Sequence, residues 1–219
     1  MAAMIVLVMV ATILLIEWLR RSRAELTEKS IAPEAISHDS ISLDEGVFYS
    51  PGHTWAALGH GGSMSVGIDS FLRKLMDGVD EVYLPEMGSK ILKGQKFFEV
   101  SKSGKRLSVT SPVSGIVRAV NTDLQESPVL VDSVEHGWVA RVQPEDIAGD
   151  LSGMTIGERA RTWMSEEIGR LRDFFSGIVS QPALAGQTLM DGGMPVAGVL
   201  TQLDDESLSR FQEEFLKIR

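Results

Sequence analysis

The sequence predicts a mainly β (α+β) fold, a flattened β-barrel or sandwich with flanking helices, together with one N-terminal transmembrane helix and C-terminal helices. Short segments that alternate apolar and polar residues, separated by Gly and Pro turns, predict the β domain over residues 49–153. A long apolar run at the N-terminus predicts the membrane helix. Apolar residues at helical spacing in residues 154–219 predict the C-terminal helices.

The composition of the chain excludes several classes of function. Its net charge of −9 disfavours nucleic acid as a partner, because binding a phosphate backbone requires clusters of Lys and Arg. The absence of cysteine rules out disulfides, iron–sulfur clusters held by Cys, Cys-rich zinc sites and covalently attached c-type haem. A chain without Cys is compatible with either side of a membrane, so this absence leaves the compartment open.

No catalytic or metal-binding constellation is apparent in the sequence. Its histidines are not spaced as ligand pairs on a helix face, so structural or surface roles are expected for all of them. There is no nucleophile–base pair, and the glycine-rich turn at residues 59–62 lacks the strand–helix setting of a phosphate-binding loop. We therefore expect no catalytic residue, no metal and no enzymatic activity. The histidines are His38, His53, His60 and His136.

The first 23 residues predict a membrane anchor. Residues 1–19 are almost wholly apolar and, as a helix, would span about 24–28 Å, enough to cross a bilayer core. The run lacks the positive start and the small-residue cleavage site of a secretory signal. Three arginines follow it within residues 20–23, and positive residues stay in the cytoplasm. The prediction is a single-pass anchor in the cytoplasmic membrane, with the N-terminus outside and the soluble domain on the cytoplasmic side.

Residues 24–48 are mixed and polar, and they predict a linker between the anchor and the β domain. In the domain itself, Asp69 is expected to cap a short helix over residues 70–76, because an Asp side chain accepts hydrogen bonds from the first amides of a helix. Strands are expected at residues 53–58, 63–68, 80–84, 115–120 and 137–142.

A β-hairpin over residues 97–115 is the centre of the predicted domain. Apolar and polar residues alternate over 97–100 and again over 107–109, as in half-buried strands. Ser103 and Gly104 lie between these segments and predict a tight turn, since Gly adopts positive φ readily.

Two amphipathic helices are expected in the C-terminal extension, residues 154–219. Thr155 and Glu158 have the spacing of a capping box that would start the first helix. Asp204 or Asp205 is expected to cap the second. The apolar stripes of these helices pack either on the β domain or on a partner subunit, and the sequence leaves both possibilities open.

Residues 53–153 resemble the H protein of the glycine cleavage system, a lipoyl-carrier domain. The matching segments keep the order and the spacing of that family. The resemblance implies a lipoyl/biotinyl-type fold, the barrel-sandwich hybrid. The segments are His53-Thr54-Trp55, Val66-Gly67-Ile68-Asp69, Leu84-Pro85-Glu86-Met87-Gly88, Lys93-Gly94, Ser111-Pro112-Val113-Ser114-Gly115-Ile116-Val117, Asn121, Ser127-Pro128 and Gly137-Trp138.

The resemblance also implies where a lipoylated lysine would lie. In the family it follows the glycine matching Gly94 by ten positions and precedes the proline matching Pro112 by eight, and both counts reach Gly104. Glycine has no side-chain amine, so Gly104 is interpreted as a vacated lipoyl position and no cofactor is expected. Lys102 and Lys105 flank it, but a shift of one residue along a strand turns a side chain to the opposite face. They are predicted to be solvated surface lysines.

Three hypotheses about function follow. The favoured one is a membrane-anchored, non-lipoylated H-protein-like accessory or scaffold subunit of a membrane-associated complex, for which a redox or respiratory context is suggested. Its partners would be other protein subunits and, through residues 1–19, the lipid bilayer. The second is a membrane-tethered lipoyl carrier modified at Lys105 or Lys102, with lipoate as cofactor. The third is a regulator that competes with H proteins of the glycine cleavage system for their partners.

Overall fold

The computed structural model describes residues 35–37, 40–178, 189–190 and 194–218. The predicted anchor, residues 1–23, lies outside the described residues, as does the part of the predicted linker before residue 35. Ala35–Arg219 forms one compact unit. Among the residues that the structure describes, no helix has the length and apolar character needed to span a membrane.

Two antiparallel sheets form the β domain, as the alternating pattern predicted. In the six-stranded sheet the order is β1 (Phe48–Tyr49), β2 (Thr54–Leu58), β3 (Met64–Ile68), β9 (Ala140–Pro144), β8 (Gly115–Val120) and β5 (Lys90–Ile91). In the three-stranded sheet it is β4 (Glu81–Tyr83), β6 (Lys96–Lys102) and β7 (Lys105–Thr110). A separate short hairpin joins β10 (Leu189–Met190) to β11 (Met194–Pro195).

Among the described residues, the helices that flank the sheets are α1 (Ser70–Met76), α2 (Asp123–Glu126), α3 (Ile147–Leu151), α4 (Glu158–Ile178) and α5 (Asp205–Phe215). Short 3-10 turns lie at His60–Gly62, Pro128–Asp132 and Val199–Gln202. The expected caps of two helices are confirmed: Asp69 Oδ1 accepts from Leu72 N at 2.9 Å, and Asp204 Oδ1 accepts from Ser207 N at 2.7 Å.

Two local predictions are wrong because the backbone groups concerned form other hydrogen bonds. Thr155 does not cap α4, because its backbone forms an isolated antiparallel β-bridge with Tyr49. Its Oγ1 is buried and has no hydrogen-bond partner among the described residues. Helix α4 therefore begins only at Glu158. The strand expected from residue 137 begins at Ala140, because Gly137 N donates to Ser133 O at 2.6 Å and stays in the preceding turn.

One apolar core joins the two sheets to α1, α4 and α5. The helices of the C-terminal extension contribute buried side chains to it, including Leu171, Phe175 and Phe211. Ile36 and Ile41, from the segment predicted as a linker, are buried in it too. Of the two possibilities that the sequence left open for the apolar stripes, the structure shows packing within the chain.

Candidate functional site

The tip of the β6–β7 hairpin is a two-residue turn, as predicted. The strands pair as far as Lys102 opposite Lys105, which leaves Ser103 and Gly104 between them. Both turn residues have positive φ, 50° at Ser103 and 78° at Gly104, as a type I′ turn requires. A Cβ atom added at Gly104 would meet no other atom within 4 Å, so the space above this residue is open.

Asp80 holds one side of the turn. Lys102 Nζ donates to Asp80 Oδ1 at 2.9 Å, and Ser103 N donates to Asp80 Oδ2 at 2.9 Å. The backbone hydrogen bond from Ser103 and the contact with Lys102 together lower the pKa of Asp80. Lys102 is thus an ion-paired side chain at the base of the turn, with 26% of its surface exposed.

Lys105 contacts the C-terminal helix on the other side of the turn. Its Nζ donates to Oδ1 of Asp205, the first residue of α5, at 2.8 Å. Lys105 lies directly opposite Lys102, and directly opposed residues of an antiparallel pair share a face. Because side chains alternate along a strand, this is the face that carries the buried Val100 and Leu107. The turn lysines, predicted to be solvated, are both ion-paired, and neither is at the apex.

Helix α5 borders β7, an edge strand of its sheet. Ser108 N donates to Gln212 Oε1 at 2.8 Å, and Thr110 Oγ1 donates to Leu216 O at 2.7 Å. A strand edge presents free backbone groups that favour pairing with another chain. Here the chain's own C-terminal helix supplies the partner for one of them.

A buried histidine lies behind the hairpin, where α1, α4 and α5 meet. His53 is fully buried and has a positive φ of 56°. Its Nδ1 lies 2.8 Å from Asp69 Oδ2, and its Nε2 lies 3.6 Å from Glu167 Oε2. Arg170 Nη1 donates to both carboxylate oxygens of Glu167, to Oε1 at 2.6 Å and to Oε2 at 2.8 Å.

The carboxylates around His53 decide its charge. Burial opposes the charged imidazolium, but Asp69 and Glu167 outweigh burial and raise the pKa of His53 to about 9. Burial likewise opposes ionisation of Glu167, yet His53 and Arg170 lower the pKa of this carboxyl group overall. His53 is therefore positively charged at neutral pH in a buried contact with the carboxylates of Asp69 and Glu167, and Arg170, whose side chain is 48% exposed, contacts Glu167 from the outer side.

A match to a known protein family includes both the hairpin turn and the surroundings of His53. The sequence profile of the glycine cleavage H-protein family matches residues 47–167. This chain belongs to the glycine cleavage H-protein family. The matched region contains the hairpin turn with Gly104, as well as His53, Asp69 and, as its last residue, Glu167. The second half of α4 and the whole of α5 lie beyond it.

Individual H proteins show the same extent of similarity. The chain is 32% identical over 118 residues to the probable glycine cleavage system H protein of Pyrococcus abyssi, covering 53% of this chain and 88% of that protein. It is 38% identical over 109 residues to the glycine cleavage system H protein of Mycobacterium avium, covering 49% and 83%. A crystal structure of an H protein from Mycobacterium marinum aligns with a TM-score of 0.49 at 23% identity, covering 57% of this chain and 99% of that one.

The structure separates the four histidines of this H-family chain. His60 and His136 are exposed, His53 is buried, and His38 lies outside the described residues. Sequence reasoning gave His53 no more than a structural or surface role and missed its charged network. One signal was available: Glu167 lies on the apolar stripe of α4 between Met164 and Leu171, where a carboxylate needs a partner.

In the described ranges, no three His, Asp or Glu side chains converge to hold a metal ion. The outward face of the hairpin sheet is instead a network of paired polar groups. Arg106 lies 4.0 Å from the centre of the Tyr83 ring, and Glu99 accepts from Ser108 Oγ at 3.2 Å. Lys96 Nζ lies 2.9 Å from Glu99 and lowers the pKa of this carboxyl group.

Proposed function

We propose that this member of the H-protein family is a non-lipoylated accessory or scaffold subunit and not an enzyme. The observation that carries the proposal is the residue at the hairpin apex. Gly104 occupies the position that the family resemblance assigns to the lipoylated lysine, and it has no side chain to form an amide. A domain that keeps the carrier scaffold without a tethering amine retains a surface that other proteins can bind.

The surroundings of the two turn lysines support the same conclusion. A lipoyl amide requires a free ε-amine presented at the apex of the turn. The amines of Lys102 and Lys105 are instead directed to Asp80 and Asp205 on the two flanks of the hairpin. Ion pairs this exposed contribute little to stability, so the position of the lysines on the strands matters more than the pairing.

The proposed location is the cytoplasmic membrane, with residues 1–23 as a single-pass anchor and the N-terminus outside. The apolar run and the arginines that follow it support this orientation. The proposed partners are other subunits of a membrane complex, with a redox or respiratory complex as the context to test first. A C-terminal fusion to a reporter active only in the periplasm should be inactive, and reporter activity would reverse the orientation.

The absence of lipoylation is tested by intact mass and peptide mapping of protein purified from its native membrane. We expect the peptide that contains residues 102–105 to carry no added mass. A lipoyl group on Lys102 or Lys105 would contradict the proposal. The scaffold role is tested by purification in mild detergent, in which partner subunits should co-elute at a constant ratio. A chain that elutes alone would count against it.

A substitution tests whether the position is truly vacated. Gly104→Lys places an amine at the apex, where the structure leaves open space. Incubated with lipoate, ATP and a lipoate–protein ligase, this variant should gain a lipoyl group, while Ser103→Lys serves as the matched control one position away. Failure of Gly104→Lys to be modified, in a folded protein, would mean that the ligase no longer recognises this surface.

The second candidate is a membrane-tethered lipoyl carrier modified at Lys105 or Lys102. Its support is that two lysines lie within two positions of the apex in a chain of the H-protein family. The same peptide map distinguishes the two candidates, because only the carrier would show the added mass.

A further inference from the structure

Three elements that are distant in sequence meet at the imidazole ring of His53. The ring stacks on Phe71 of α1 with centroids 4.3 Å apart. It also lies 5.4 Å from Trp163 of α4 and 6.3 Å from Phe215 of α5. The residue just before β2 is thus close to both helices of the C-terminal extension through one side chain.

Arg170 extends the same network to α5. Besides its contacts with Glu167, its Nη2 donates to the backbone carbonyl of Glu214 at 3.1 Å. Its guanidinium lies 4.8 Å from the centre of the Phe215 ring. A chain of contacts therefore runs from Asp69, through His53 and Glu167, to Arg170 and the C-terminal end of α5.

The charges in this chain of contacts balance only when His53 carries a proton. The carboxylates that bear on the ring are those of Asp69, before α1, and Glu167, on α4; α5 contributes the ring of Phe215, and its Glu214 carbonyl accepts from Arg170. Arg170 supplies one positive charge. A neutral imidazole would leave one carboxylate uncompensated in the interior, and an unpaired buried charge is strongly destabilising.

We propose that His53 is a buried imidazolium that latches α4 and α5 onto the sheets, so that losing its proton loosens this helical layer and uncovers the edge of the hairpin. The second half of α4 and all of α5 lie beyond the region that matches the H-protein family, since the match ends at Glu167. The edge concerned is β7, where Ser108 and Thr110 bond to Gln212 and Leu216 of the C-terminal segment. Docking of α5 therefore determines what the hairpin presents to a partner.

The protonation state is tested first, on the full-length chain in detergent micelles. Histidine ring carbon and nitrogen shifts are followed by NMR from pH 6 to pH 10, with the exposed His60 and His136 as reference signals in the same sample. We expect the His53 ring to be protonated on both nitrogens at pH 7.5 and to titrate near pH 9. A neutral His53 ring at pH 7.5 would overturn the proposal, and this measurement requires no variant.

The latch itself is tested by hydrogen–deuterium exchange on Glu167→Gln, with Glu166→Gln as the matched control, since Glu166 is exposed and one residue away. In Glu167→Gln we expect the amides of α5, and that of Ser108 which bonds to Gln212, to exchange at least about tenfold faster at pH 7.5, while the other amides of β6 and β7 change much less. Uniformly faster exchange in all elements would show a merely structural role and would overturn the latch. So would unchanged exchange in α5.

A second measurement covers the case in which Glu167→Gln does not fold. The exchange of α5 in the wild-type chain is then compared between pH 7.5 and pH 10, after correction for intrinsic rates. Faster exchange at pH 10 that is confined to the helical layer supports the latch. Exchange of α5 that is the same at both pH values would overturn it.

Discussion

The hairpin turn and the His53 junction both contain ion pairs, but these pairs differ in their exposure to solvent. At the turn, Asp205 is 95% exposed where it meets Lys105, so water competes for both charges. At the junction, the side chains of His53 and Asp69 are fully buried, so water cannot replace either group as a partner of the other. An ion pair is therefore weak at the exposed turn, whereas at the buried junction the loss of one partner is expected to destabilise the fold.

This difference indicates where the chain tolerates change. The turn has a geometry set by the backbone conformation of Ser103 and Gly104, and the ion pairs beside it are partly exposed. At the junction, loss of one partner would leave a buried charge uncompensated, which is strongly destabilising. A residue at the turn can consequently be lost together with its function, as we propose for the lipoyl lysine, without loss of the fold.

The largest expected effect comes from removing one carboxylate at the junction. Asp69→Ala leaves the buried imidazolium without its nearest partner and also removes the cap of α1. We expect a loss of about 3–5 kcal/mol in the free energy of unfolding, measured by urea denaturation. The same substitution at the turn, Asp80→Ala, should cost clearly less, because that carboxylate is exposed. Equal losses would contradict the contrast between the two regions.

The next largest effect is a dependence on alkaline pH. The pKa of His53 is about 9 in the folded chain and about 6.5 when unfolded, so the stabilisation is fully present below pH 6.5. It is lost as the pH rises through 9, and the total loss amounts to about 3 kcal/mol. Urea midpoints measured from pH 6 to pH 10 should fall over this window. In His53→Gln the fall should disappear, and its persistence there would assign the pH dependence to other groups.

Two glycines should respond to the same substitution with opposite signs. Gly104→Ala places a Cβ on a backbone with φ of 78° and should destabilise the protein by about 1–2 kcal/mol. Gly169→Ala, in the interior of α4 with open space around the added Cβ, should stabilise it by about 0.5–1 kcal/mol. Thermal melting measures both. A stabilising Gly104→Ala would mean that the turn adopts another conformation.

The smallest expected effect is at the pair between Lys105 and Asp205. A double-mutant cycle with Lys105→Ala and Asp205→Ala should give a coupling of no more than about 1 kcal/mol, which decreases with added salt. Glu206→Ala, at the neighbouring exposed position of α5, is the control for Asp205→Ala. A coupling much larger than this, and insensitive to salt, would mean that α5 depends on this contact as strongly as on His53.

Local patterns predicted most of the β domain. The alternation around the hairpin, the positive φ of Gly104 and the caps at Asp69 and Asp204 depend on a few neighbouring residues, and the structure confirms them. Thr155 shows the limit of this reasoning. Its spacing to Glu158 is that of a capping box, but pairing with the distant Tyr49 gives its backbone a better set of hydrogen bonds.

The candidate site was only partly predictable. The resemblance to H proteins implied two spacings that both reach Gly104, and the structure places this residue in the turn between Lys102 and Lys105. The partner of Lys105 is a hundred positions away, and no local pattern indicates it. The protonated state of His53 likewise depends on Asp69 and Glu167, which the sequence places on separate elements.

By itself, the sequence determined the alternating strands, the turn and the missing amine, since each of these depends on the residue types within a short segment. Only the tertiary structure decided which groups share the interior. It set the apolar faces of α4 and α5 against the sheets, and it brought two carboxylates to one imidazole. Burial then made the charge of His53 a requirement, because an ion removed from water needs a counter-charge at contact distance.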